Sequence, residues 1–285
     1  MVLKKLFVSS RPISWINTAF PFAVAYYLST GQVGLNLVVG SLFFLIPYNL
    51  LMYGVNDVFD YESDLRNPRK GGIEGALLDP KYHRPTLIAA FSLAAPFVVY
   101  LLAVGSFESS AWLLLVLFSV IAYSIKGLRF KEIPFLDSIT SAMHFVGPMW
   151  FGLALAGAEL NQTVVLISAS FFLWGMASHA FGAVQDVKAD RAAGIGSIAT
   201  TIGSRQTVIL AMFMYLAAGV IALFIGDRYS QAAIATIPYL IVVGRELSIT
   251  DENCERANRG WKWFIYLNFI AGAIVSALII GPQPS

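Results

Sequence analysis

Apolar runs long enough to cross a lipid bilayer recur along the whole of this 285-residue chain, and that recurrence constrains the fold before any single residue does. A spanning segment must satisfy its own backbone hydrogen bonds, so it is a helix of ~20 mostly apolar residues. Nine segments fit, near 12–30, 36–58, 86–105, 110–125, 137–157, 163–184, 206–226, 231–244 and 261–280. With 57% of residues hydrophobic and 13% charged, an ordinary soluble domain is excluded. The expectation is an all-α polytopic membrane bundle of nine transmembrane helices, built as one domain over residues 1–285. Lys4 and Lys5 precede the first run as they would in a cleaved leader, but Arg11 and Pro12 interrupt it, so the first helix is read as retained.

Charge placement orients the bundle. Cytoplasmic loops collect Lys and Arg, and nine spans with a cytoplasmic N-terminus put eighteen of the nineteen bases inside, leaving only Arg228 outside. The outer links, "TGQVG", "GSFESS" and "AGAELNQ", are short and free of bases. A net charge of +2 gives no excess basicity for nucleic acid. The single Cys254 excludes an internal disulfide and a cysteine-rich metal site.

Acidic residues gather where two spans reach the inner face. The second span ends in Asp57, Asp60 and Asp64, and the sixth in Asp186 and Asp190. Both groups lie at the negative ends of helix dipoles, which disfavours a carboxylate by ~0.3 to 1 kcal/mol, so something positive must offset them. Asn49, Tyr53, Asn56 and Asp60 share one helical stripe, and His179, Ala183, Asp186 and Asp190 repeat the spacing, so two acidic stripes could face each other across a cavity. Carboxylates with no cysteine and little histidine describe a hard oxygen-ligand site, suited to about two or three Mg²⁺ ions bridging to a diphosphate. The plainer alternative is a set of solvated salt bridges to Arg66, Arg69 and Lys70.

The residues "NDVFDYESD" from Asn56 to Asp64 resemble the NDxxDxxxD motif, and "DVKADRAAGIGS" from Asp186 to Ser197 resembles the DxxxDxxxGxxS motif, of the UbiA superfamily of intramembrane prenyltransferases. The resemblance implies that Asp57, Asp60, Asp64, Asp186 and Asp190 hold Mg²⁺ on the diphosphate of an isoprenoid donor. It implies that Asn56 completes a coordination sphere or binds a phosphate oxygen, and that Arg11 in "SSRPISW", Arg69 and Lys126 in "YSIKG" grip the oxygens. Lys70 and Lys188 are further diphosphate candidates, or else snorkelling cytoplasmic bases. Where quinone-forming members continue Asn-Arg-Pro-Leu, this chain has "GGIEGALLDPKYHR", which weakens an assignment to quinone synthesis.

Four stretches, among them "ITDENCERANRGWKWF", are more narrowly similar to bacterial carotenoid elongases acting on lycopene. That likeness implies an apolar carotenoid acceptor entering from the lipid bilayer, dimethylallyl diphosphate as donor, and C45 and C50 products, in some cases with hydration. It places the active site on the cytoplasmic side of the bacterial inner membrane, with other carotenoid enzymes as partners. Tyr53, Tyr123 and Trp174 are candidates to line a carbocation cavity, and His179 to assist proton loss; packing aromatics and a structural histidine are the alternatives, as for His144. Another prenyl acceptor, a cation-coupled transporter, or a structural partner of carotenoid enzymes remain the competing readings.

Overall fold

The computed structural model describes residues 2–65 and 77–280, so Arg66, Arg69 and Lys70 lie outside the described residues. Among those described, every regular element is helical. Two compact units emerge, one from Met1–Phe130 and Met143–Glu159, the other from Lys131–Ala142 and Leu160–Ser285.

The first unit comprises α1 (Val2–Ser9), α2 (Trp15–Thr30), α3 (Leu35–Leu45), α4 (Pro47–Phe59), α5 (Tyr61–Asp64), α6 (His83–Val104), α7 (Phe107–Ser124) and the later turns of α8 (Leu136–Leu155). Its core is aromatic. Phe22 lies 5.2 Å from Phe44 and 5.7 Å from Phe151, and Phe44 meets the edge of Tyr48 at 5.1 Å. Lipid supplies no hydrophobic drive between helices, so close packing of this kind holds them together.

The break between α3 and α4 follows from Pro47, which has no N–H to continue a helix. Ile46 departs to φ −116°, ψ −60°. The carbonyl of Phe44 then accepts from side chains, Thr18 Oγ1 at 2.7 Å and Asn49 Nδ2 at 2.8 Å, and Asn49 Nδ2 also reaches Thr18 Oγ1 at 2.7 Å. Asn49, on the polar stripe by spacing, repairs a backbone defect.

The second unit holds the first turns of α8, then α9 (Gln162–Val184), α10 (Val187–Ala193), α11 (Ile198–Ile202), α12 (Ser204–Leu223), α13 (Ile237–Gly244) and α14 (Ala257–Ile280). Phe181, Tyr215, Tyr239 and Phe264 centre its core, with Tyr215 stacked on Tyr239 at 5.1 Å and Phe181 on Phe264 at 5.3 Å.

Among the described residues, six helices are long and apolar enough to cross a membrane: Leu35–Phe59, Pro80–Val104, Phe107–Ser124, Gln162–Val184, Ser204–Leu223 and Asp251–Ile279. Three of the nine expected segments are built otherwise. Trp15–Thr30 has sixteen residues; Leu136–Leu155 has twenty but carries Asp137, Ser138, Thr140 and His144 in its first half; and 231–244 falls across a 3₁₀ segment, Asp227–Thr236, and the eight-residue α13.

Candidate functional site

The first acidic group sits where α4 gives way to α5. Asp60 is the junction, at φ −98°, ψ −2°, in the bridge region that many active-site residues occupy. Its N–H donates to Asn56 O at 2.9 Å, and Asp64 N donates to Asp60 O at 2.8 Å, so the chain turns without losing its bonds. Asp57, Asp60 and Asp64 are all buried, at 1%, 4% and 6% exposure. Buried carboxylates need compensation.

Part of it comes from Arg11. Its Nη2 donates to Asp57 Oδ1 at 2.9 Å, and its guanidinium lies over the Tyr53 ring, 4.3 Å from the centroid. Arg11 is placed by an unusual backbone, φ 48°, ψ 73°, between α1 and the 3₁₀ turn Pro12–Ser14. Trp15 Nε1 fixes that corner by donating to Ser10 O at 2.9 Å, with Phe7 packed edge-on at 5.6 Å. The cation and the aromatic face named from the sequence are thus in contact with each other.

A second guanidinium comes from Arg129, which sequence reasoning did not single out. Arg129 Nη2 lies 3.6 Å from Asp60 Oδ1, and Nη1 donates to Phe59 O at 3.4 Å. Lys126, three residues earlier, is exposed in the same turn. The only advance signal for Arg129 was its nearness in sequence to the Tyr-x-x-Lys element. Asn56 Nδ2 donates to Ser124 Oγ at 3.0 Å, while Tyr123 packs edge-on against His144 at 5.1 Å.

In the second unit, the second acidic group repeats the local design. Asp186 follows the end of α9 with φ −99°, ψ −6°, within a few degrees of Asp60, and Asp190 N donates to Asp186 O at 2.8 Å. Both aspartates are half-buried. Gly194, at φ 69°, caps α10 in the left-handed conformation that favours glycine. Lys188 is exposed, with Nζ 3.7 Å from Glu255. Trp174 stacks on Phe171 at 5.6 Å and meets Tyr239 edge-on at 5.8 Å.

His179 has an acidic neighbour that the sequence reading also missed. Its Nε2 lies 3.7 Å from Oδ2 of Asp137, a fully buried carboxylate that accepts from Ser138 N and Ile198 N, each at 2.7 Å. Asp137 thereby ties the start of α8 to the start of α11, just beyond the second motif.

The donor set is entirely oxygen, which fits Mg²⁺. Among the described residues no three His, Cys, Asp or Glu side chains converge into a cage. A cage is not required, because Mg²⁺ usually keeps several waters and takes only one or two carboxylates plus substrate phosphate.

The family model for the UbiA prenyltransferase family matches residues 18–277. The chain is 54% identical over 280 residues to the C(50) beta-cyclic carotenoids biosynthesis protein LbtBC of Dietzia sp. (strain CQ4), covering 98% of this chain and 65% of that protein, so it spans less than two thirds of that relative's length. It is 48% identical over 278 residues to a lycopene elongase/hydratase of Corynebacterium glutamicum, covering 98% of this chain and 97% of the relative. In structure it is similar to a UbiA homolog from Archaeoglobus fulgidus bound to DMAPP and Mg²⁺, with TM-score 0.69, 20% identity, and coverage of 95% of this chain and 99% of that one.

Proposed function

The chain belongs to the UbiA prenyltransferase family, and from that membership we propose that it moves a dimethylallyl group from its diphosphate to the ends of lycopene, giving C45 and C50 carotenoids. The observation that carries the reading is the set of buried carboxylates at the end of α4 facing two guanidiniums, a place fitted to a diphosphate and its counterions. The names of the relatives supply the acceptor, and the donor named for the similar archaeal structure supports dimethylallyl diphosphate.

Asp57, Asp60, Asp64, Asp186 and Asp190 would hold Mg²⁺, and Asn56 would complete a coordination sphere or bind a phosphate oxygen. Bound there, Mg²⁺ would offset the negative charge that develops on the diphosphate as the allylic C–O bond breaks. Arg11 is placed to bind a phosphate oxygen, and Arg69, Lys70, Lys126 and Lys188 are the further candidates. The electron pair of the broken bond leaves with the diphosphate. A terminal double bond of lycopene then forms a new C–C bond to the dimethylallyl cation, leaving a tertiary cation that loses a proton or captures water. Tyr53, Tyr123 and Trp174 offer π faces for such cations, and His179, 3.7 Å from Asp137, is the candidate to take the proton. We place both units in one prenyltransferase domain of nine spans, in the bacterial inner membrane, with its site on the cytoplasmic side. Association with other carotenoid enzymes belongs to the same reading.

The test is expression in a lycopene-accumulating bacterium, with mass analysis of the pigments. Added mass in C5 steps, lost in Asp60→Asn, is the expected result, and an added water would mark hydration. Unchanged lycopene, with a prenyl group transferred instead to 4-hydroxybenzoate, would replace the acceptor.

A further inference from the structure

The turn that follows α7 is built to deliver one charge. Gly127, at φ 96°, reverses the chain, and the N–H groups of Leu128 and Arg129 both donate to Ile125 O, at 3.2 Å and 3.0 Å. Arg129 itself is held at φ 42°, a left-handed conformation that strains a non-glycine residue. Arg11 is held the same way at φ 48°. Two of the three described non-glycine residues with positive φ are therefore arginines, and both reach the same acidic group, Arg11 at Asp57 and Arg129 at Asp60.

Beside these partly buried carboxylates, where charges interact strongly, each guanidinium opposes a cation that arrives without its anion and attracts the phosphate oxygens of one that arrives with a diphosphate. Resting on the prenyl-transfer reading above, we propose that Arg129 is a positioning residue that weakens the acidic group's hold on a bare divalent cation and strengthens its hold on the cation's diphosphate complex, so that metal and donor enter together. A simpler role exists for the same side chain, since Nη1 caps the C-terminal carbonyl of α4 at Phe59. Capping alone would alter stability without driving two affinities in opposite directions.

That opposition is the test. The full chain in lipid nanodiscs is titrated calorimetrically with Mg²⁺ alone, and then with inorganic pyrophosphate in the presence of Mg²⁺. Arg129→Asn is the main variant, because asparagine tolerates positive φ and the turn is kept; Arg129→Gly removes the charge and the strain together. Both should bind Mg²⁺ alone roughly tenfold more tightly, and pyrophosphate with Mg²⁺ roughly tenfold more weakly, as expected when one charge is deleted beside a partly buried site. Arg129→Lys, which keeps the charge, should return both affinities toward wild type. Affinities that fall together, or that do not move, would overturn the inference while leaving prenyl transfer standing. A wild-type chain that binds no pyrophosphate with Mg²⁺ would overturn both.

Discussion

Asp137 shows how far one buried charge can reach. Its carboxylate is fully enclosed and receives two short backbone hydrogen bonds, from Ser138 and from Ile198, with His179 close by. Asp137→Ala would leave two N–H groups without these acceptors, each costing about 1–3 kcal/mol when buried. The expected loss is about 3 kcal/mol, read from the denaturation midpoint in mild detergent. Asp137→Asn should lose less, since its amide oxygen still accepts. An alanine variant within about 0.5 kcal/mol of wild type would contradict this account. The residue was illegible in advance because its partner Ile198 lies 61 positions away. By contrast, Asp57, Asp60 and Asp64 stood out, since their spacing along one helix end is local information. Arg129 fell between these cases: it was near a recognisable element, but its reach to Asp60 depends on a left-handed backbone that no helical spacing encodes.

Helices in this chain approach one another through glycine. A Cβ on Gly152 of α8 would stand 2.9 Å from the backbone oxygen of Phe22 and 3.2 Å from its ring, and backbone cannot swing aside as a side-chain tip can. Gly272 of α14 has nothing within 4 Å of the same position. Gly152→Ala is therefore expected to destabilise by about 1–3 kcal/mol through overpacking. Gly272→Ala should be neutral or gain up to about 1 kcal/mol from helix propensity. Unfolding of the two variants side by side checks the contrast, and equal effects would refute it. The sequence could not separate these glycines, because both sit in apolar runs. Nor could it show that the run 36–58 is two helices, α3 and α4, joined at Ile46 and repaired by Thr18 and Asn49. Hydropathy locates a run; the break arises from one missing N–H at Pro47.

At the scale of the whole molecule, burial bears directly on how many times the chain crosses the bilayer. Mean hydropathy counts every face of a helix, whereas lipid meets only the exposed one. In α8 the polar residues that lower the average are turned inward: Asp137 and Ser138 are 0% exposed, and Thr140 and His144 are 4% exposed. Its twenty residues reach about 30 Å at 1.5 Å each, the thickness of the hydrocarbon layer. Helix α2 gives about 24 Å, and the preceding 3₁₀ turn adds about 6 Å more. Both segments therefore have the length to cross, which brings the six helices to eight, and the proposed ninth span, 231–244, is the 3₁₀ segment and α13 in series; that α2 and α8 do cross, from a cytoplasmic N-terminus, is the proposal to test. Four exposed positions of the first unit decide it: Lys4, Glu108, Lys126 and Glu159. The single cysteine, Cys254, is buried, so single-cysteine variants at these sites carry little background. In right-side-out vesicles, a membrane-impermeant thiol reagent should label Glu108→Cys and Glu159→Cys and spare Lys4→Cys and Lys126→Cys until the membrane is opened. If α8 does not cross, position 159 will label with 126; if α2 does not cross, position 4 will label with an added Gln32→Cys. Either pairing would reduce the count of spans and remove the sidedness on which the cytoplasmic placement of the acidic groups depends.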